Sequence, residues 1–121
     1  MARILIVDDE PVVRAALRVY LEADGHDVWE ASNGAAVDDL LAEHAPDVVI
    51  VDILMPVKDG IETIIGLRRS GHPAKIIAMS GGSGRNLNFL NIARRLGADA
   101  TLEKPFDGDD LQAVIGKVLS S

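Results

Sequence analysis

Five short runs rich in β-branched residues alternate along the 121-residue chain with longer segments of helical period. This alternation restricts the fold more than any other feature, because a strand, a crossover helix and the next parallel strand form a unit that covers both faces of a sheet. The runs are Arg3 to Val7, Asp27 to Ala31, Asp47 to Val51, Lys75 to Met79 and Ala100 to Glu103. "ILIV" in the first and "VVIV" in the third are the most apolar, as central strands buried on both faces require, whereas the second carries Asp27 and Glu30 and reads as nearer an edge. The expected fold class is α/β, a (βα)5 doubly wound five-stranded parallel sheet. Its order is taken as 2-1-3-4-5, the commoner of the five-strand arrangements, because the sequence by itself does not set it.

The punctuation between the runs is legible. Pro11 stands at a first-turn position, Val13, Leu17 and Leu21 recur at helical spacing, and Gly25 stops the first helix. Asn33-Gly34 opens the second, which closes before Pro46. Asp59-Gly60 opens the third, with Ile61, Ile64, Ile65 and Leu67 inward and Gly71 and Pro73 ending it. The fourth runs from about Asn86 to Leu96 and stops at Gly97, and the last, from about Asp107, turns Leu111, Val114, Ile115 and Val118 inward. No repeat, low-complexity tract or linker interrupts the pattern, so residues 1–121 read as a single domain. No stretch approaches the roughly 20 apolar residues of a membrane span, and no signal-peptide pattern precedes the first run, so the expectation is a soluble, cytoplasmic protein. The absence of cysteine excludes disulfides, iron–sulfur clusters and thiol catalysis. A net charge of -7 disfavours nucleic acid as a direct partner and points to a protein or a cation.

The acids have a placement that the fold makes informative. Ligands of an open parallel sheet sit at the carboxyl ends of the strands, where the winding reverses. Asp8 and Asp9 follow the first run and Asp52 the third, and in order 2-1-3-4-5 these two strands are neighbours at the switch point. Three converging carboxylates repel one another unless their pKa values rise or a cation joins them. With no histidine or cysteine nearby, the acids suit a hard divalent ion such as magnesium, which keeps positions open for phosphate. Lys104 follows the fifth run and Ser80 the fourth, so a cation, a lysine and a hydroxyl surround an acid at one sheet edge. Such a set suits a phosphoryl group, whose transfer depends on positioning and charge neutralisation. Taken singly, each residue has an ordinary reading, the acids as helix caps, Lys104 as a solvated charge and Ser80 as a turn residue. The conjunction points to a site.

Over nearly its whole length the chain resembles the receiver domain of bacterial response regulators, the CheY-like, flavodoxin-like fold of two-component signalling. "ILIVDDEP", "DVVIVDILMPVKDG", "KIIAMSG" and "LEKPF" occur in order and at suitable spacing. The resemblance implies that Asp52 is the phosphoacceptor, taking a phosphoryl group from a sensor histidine kinase or a histidine phosphotransfer protein in a phosphorelay. It implies a Mg2+ cofactor held by Asp9 and Asp52, by Asp8 through a water and by the backbone carbonyl of Leu54. Lys104 would pair with the phosphoryl group, Ser80 would move to hydrogen-bond it, and the Lys104-Pro105 bond would be cis. The implied activity is not that of a turnover enzyme; it consists of Mg2+-dependent self-phosphorylation and self-dephosphorylation. The donor would dock at Glu10, Pro11, Val12 and Ala15. A protein target would bind the face of helix four, strand five and helix five, a surface through which receivers also form homodimers.

The chain departs from the pattern in three places. Thr101 stands where members often carry an aromatic switch residue. The loop "GGSGRN" after Ser80 is about two residues longer than expected and rich in glycine, though no Lys-Ser or Lys-Thr makes it a nucleotide P-loop. Leu54 and Gly82, two residues beyond Asp52 and Ser80, offer no side chain to orient an attacking water, so slow self-dephosphorylation is expected. Helix four carries two apolar stripes, Phe89, Ile92, Ala93 and Leu96 on one side and Leu87 and Leu90 beside Arg94 on the other, more than one core contact needs. His26, His44 and His72 read as surface residues near turns, and Trp29 as remote from the crevice. Three alternatives stand beside a self-contained receiver. The chain could be the receiver part of a longer regulator with an output domain. It could be a haloacid-dehalogenase-type phosphatase, for which "VDDEP" offers Asp8 and Glu10 at the right spacing. The third alternative is a phosphorylation-independent scaffold.

Overall fold

The computed structural model describes residues 2–53, 60–81 and 86–120 and, of residues 86–90, the backbone alone. Five strands, β1 (Arg3–Val7), β2 (Asp27–Ala31), β3 (Val48–Asp52), β4 (Lys75–Gly81) and β5 (Ala100–Lys104), form one parallel sheet in the order β2-β1-β3-β4-β5. The crossovers are α1 (Pro11–Ala23), α2 (Val37–His44), α3 (Gly60–Arg69) and α4 (Asn86–Leu96), and α5 (Gly108–Leu119) follows β5. The α/β class is the one expected from the alternation, and the order is the 2-1-3-4-5 assumed as the commoner arrangement.

β1 and β3 lie between neighbours and alternate their side chains into two cores. One core is covered by α1 and α5, where Leu17, Leu21, Leu111, Ile115 and Val118 pack on Ile4, Ile6, Ile50, Ile77 and Met79. The other lies under α2, α3 and α4, where Val37, Ile64, Leu67 and Ala93 pack on Leu5, Val7, Val49, Val51, Ile76 and Ala78. Adjacent strand residues thus face opposite helical layers, which is why the central strands read as unbroken apolar runs.

Local chemistry accounts for the helix ends. Pro11 occupies the first turn of α1, and Gly25 takes φ +84 beyond its end. Asn33 Oδ1 accepts from the Ala35 amide and opens a 3₁₀ turn, Gly34–Ala36, ahead of α2, so the single second helix expected from the sequence is a turn plus eight helical residues. Asp107 and Asp110 form a reciprocal capping box at the start of α5.

Three expectations require correction. β3 begins and ends one residue later than anticipated, β4 extends two residues further and β5 one, because the ladder pairs Asp52 with Met79, Ser80 with Glu103 and Gly81 with Lys104. Ile92, placed in one apolar stripe with Ala93, is 44% exposed, while Ala93 is fully buried, so the two do not share one buried face; Phe89, Leu87 and Leu90 fall outside the described side chains. The histidines are half-buried rather than superficial: His26 Nδ1 accepts from the Ala2 amide, His72 Nδ1 accepts from the Ala74 amide, and His44 stacks on Trp29 at 4.3 Å. Among the described residues no helix is long and apolar enough to cross a membrane.

Candidate functional site

β1 ends at Val7, paired with Ala31 on one side and Val51 on the other, and the chain turns at once into α1. The turn is tight because Asp8 Oδ1 accepts from the Glu10 amide at 2.8 Å, while the Asp8 amide donates to Ala31 O at 3.1 Å. This holds Asp8 fully buried and leaves Asp9 and Glu10 exposed at the rim. Asp52, the last residue of β3, lies alongside at 4% exposure. Carboxylate oxygens of Asp8, Asp9, Glu10 and Asp52 all lie within 4.8 Å of one another.

Lys104, the last residue of β5, reaches across the strand ends from the far edge. Its Nζ donates to Asp8 Oδ2 at 2.8 Å and to Asp52 Oδ2 at 3.0 Å, with Glu10 Oε1 at 3.6 Å. Burial alone would lower the pKa of this ammonium, but the hydrogen bond to Asp8 and the charge of Asp52 outweigh burial and hold it above its ordinary 10.5. The adjoining Lys104-Pro105 peptide is cis.

Ser80 sits at the same edge, fully buried near the end of β4, and its Oγ has no hydrogen-bond partner among the described residues. A buried hydroxyl without a partner costs about 1–3 kcal/mol, so an acceptor brought to this edge would be bound favourably. Thr101 lies opposite Ala78 in the β4–β5 ladder, on the face that Ala78 shares with Ser80. It is half-buried and accepts from Arg94 Nη2 on α4 at 3.2 Å, so a guanidinium stands over the position where a ring was noted as missing.

The structure therefore brings together Asp8, Asp9, Asp52, Lys104 and Ser80, from the ends of β1, β3, β4 and β5. Three of these, Asp52, Ser80 and Lys104, are ladder residues rather than loop residues, which fixes their backbones more firmly than anticipated. Leu54 and Gly82 lie outside the described residues. Two further residues lie at this edge that the sequence reading did not place in the receiver site. Glu10 was read as a docking residue and, in the phosphatase alternative, as the acid partnering Asp8, but not as part of the receiver's acid cluster, into which the Asp8–Glu10 turn folds it. Arg14, one turn into α1, donates from Nη1 to the main-chain oxygen of Asp8 at 2.6 Å and pairs through Nε with Glu30 Oε1 at 3.0 Å. An arginine four residues beyond the acids was the only sequence signal for it.

The donor set, four carboxylates beside an unmated hydroxyl and with no sulfur or imidazole, fits a hard divalent cation with phosphate completing its shell. Beside it, a groove of about 420 Å³ runs between α1 and the start of α5, lined by Val12, Val13, Ala16, Tyr20, Lys104, Pro105 and Phe106. Val12, 80% exposed, marks its edge.

Comparison with known proteins agrees with this fold. The family model described as "Response regulator receiver domain" matches residues 4–116. The chain is 36% identical over 111 residues to the response regulator MprA of Mycobacterium sp. (strain KMS), covering 92% of this chain and 47% of that protein. It thus spans about half the length of the MprA regulators. It is 30% identical to sporulation initiation phosphotransferase F of Bacillus subtilis (strain 168), covering 97% of this chain and 93% of that one. Among solved structures, the receiver domain of NtrX from Brucella abortus superposes with a TM-score of 0.91 at 28% identity, and chemotaxis protein CheY4 of Vibrio cholerae with 0.87 at 26%, each alignment covering 98% of both chains.

Proposed function

The chain belongs to the response regulator receiver domain family, and from that premise we propose that it takes a phosphoryl group on Asp52 and thereby changes its affinity for a protein target. The observation that carries the reading is the Lys104 ammonium held between the two buried carboxylates, with the orphan Ser80 hydroxyl at the same sheet edge. In the proposed step an Asp52 carboxylate oxygen attacks the phosphorus of a phosphohistidine on the donor. The new O–P bond forms as the P–N bond breaks, and the electron pair returns to the imidazole nitrogen. Lys104 then exchanges its contact with Asp52 for one with a phosphoryl oxygen, and Ser80 Oγ–H donates to another, acquiring the acceptor it lacks.

Asp8, Asp9 and Asp52, with Glu10 at the rim and Leu54 as the family implies, would hold Mg2+. Bound there, Mg2+ would offset the clustered negative charge and polarise the phosphoryl group. A histidine kinase or phosphotransfer protein would dock along exposed Glu10, Pro11, Val12 and Ala15, with the groove toward Pro105 and Phe106 taking its apolar side chains. The output partner, or a second copy, would read the α4–β5–α5 face, where the Arg94–Thr101 contact lies. Such signalling takes place in the cytoplasm.

Intact-mass spectrometry after incubation with a small phosphodonor such as acetyl phosphate, with and without Mg2+, tests the reading. One phosphoryl adduct that requires Mg2+ and is lost in Asp52→Asn is expected; the same adduct in Asp52→Asn would refute the assignment. The half-length match to MprA favours a second reading, in which the receiver controls an attached output domain. The length of the native gene distinguishes the two.

A further inference from the structure

We infer that Arg14 is a positioning residue for the acid cluster, acting through the main-chain oxygen of Asp8; the inference rests on the reading of that cluster as the Mg2+ and phosphoryl site. Asp8 lies one residue beyond the β1 ladder, which ends at Val7. Its oxygen therefore has no sheet partner in the register, and Arg14 Nη1 takes that place at 2.6 Å, a short, charge-assisted bond. The same guanidinium is aimed by Glu30 on β2, whose Oε1 accepts from Arg14 Nε at 3.0 Å and whose Oε2 accepts from Arg18 Nε at 2.6 Å. Arg14 and Arg18 are four residues apart on α1 and thus share one face of the helix. Only Arg14 reaches the site.

The consequence follows from peptide geometry. The Asp8–Asp9 peptide is planar, so holding the Asp8 oxygen also holds the Asp9 nitrogen and leaves few torsions free between that plane and the Asp9 carboxylate. Asp9 is exposed at the rim and gains no such restraint from burial. Arg14 thus sets where the metal-facing carboxylate points while its own charge is answered by Glu30. The role is geometric, and it needs the planar fork: a lysine keeps the charge but presents no pair of fixed donors to Glu30 and the Asp8 oxygen.

The test is the Mg2+ dissociation constant by isothermal titration calorimetry, with thermal melts in the absence of metal, on the wild type, Arg14→Ala, Arg14→Lys and Arg18→Ala. Arg14→Ala and Arg14→Lys are expected to weaken Mg2+ about tenfold, the lower end of what lost outer-shell contacts cost a metal site. Arg18→Ala also loses a contact with Glu30 but none with Asp8. Its melting temperature is expected to fall as in Arg14→Ala, with Mg2+ affinity kept within about twofold, a margin of roughly 0.4 kcal/mol. Arg14→Lys serves where the alanine variant does not fold. Wild-type affinity in the Arg14 variants, or equal losses in the Arg14 and Arg18 variants, overturns the positioning role alone. No Mg2+ binding by the wild type overturns the reading of the site and this inference with it.

Discussion

Removal of the Lys104 ammonium would take away the cation that bonds both Asp8 and Asp52, two buried carboxylates. Stripping one partner from a buried ion pair costs about 3–5 kcal/mol, so Lys104→Met should lower metal-free stability by about 3 kcal/mol, part of it recovered when Mg2+ is added. Urea unfolding with and without Mg2+ measures both effects; an unchanged metal-free midpoint would contradict the charge argument. Glu30 makes a separate prediction in acid. Its hydrogen bond from Arg18 outweighs the burial that would raise its pKa, and with Arg14 holds that pKa below the ordinary 4.5. A group depressed on folding stabilises above its unfolded pKa, and that contribution is lost as pH falls through the folded value. Glu30→Gln should therefore destabilise the protein near neutrality and unfold with a shallower pH dependence below about pH 4.5. Denaturant midpoints across the acid range would show it.

At the scale of elements, the approach of α3 to β3 explains why Gly60 is more than a helix opener. A Cβ on Gly60 would lie 2.3 Å from the Asp52 oxygen and 2.4 Å from Ile53 Cα, so the helix start rests directly on the backbone of the candidate phosphoacceptor. Gly60→Ala should cost about 1–3 kcal/mol and displace Asp52. Gly66 and Gly116, both exposed within helices, have nothing within 4 Å of such a Cβ, and alanine at either should stabilise by up to about 1 kcal/mol. Thermal melts of the three variants should give opposite signs. Helix and strand existence was legible because period and punctuation agree at Pro11, Asn33, Gly71 and Gly97. Strand ends were not, since only the ladder partner of Ser80 or Lys104 tells where pairing stops. Nor could the sequence disclose Arg14, whose role depends on Glu30 lying across the sheet edge, or Arg68 at the opposite pole. Arg68 donates to the carbonyls of Gly97, His72 and Ala74 and to Asp99, tying the α3–β4 and α4–β5 connections together.

For the molecule as a whole, doubly wound topology places the acids, Lys104 and Ser80 at one pole, the one where strand ends meet loops. The class of fold and most of that pole could be read from order and spacing, because a carboxylate after a strand has few places to go in such a sheet. Strand order had to be assumed, since no residue in the chain records which strand lies beside which. The proposed phosphoryl bond carries its own expectation: with Leu54 and Gly82 unable to orient water, the adduct should persist for minutes or longer when followed by intact mass, and loss within seconds would contradict it. On the proposed reading the Ser80 hydroxyl, finally, bears on the balance between the unphosphorylated and phosphorylated forms. A buried hydroxyl left without a partner costs about 1–3 kcal/mol, so on that reading a phosphoryl acceptor would favour the form that supplies it by between five- and 150-fold. An alanine there should remove that bias and bring the two proposed forms closer in energy, so that one lone hydroxyl in the core would be what drives the change.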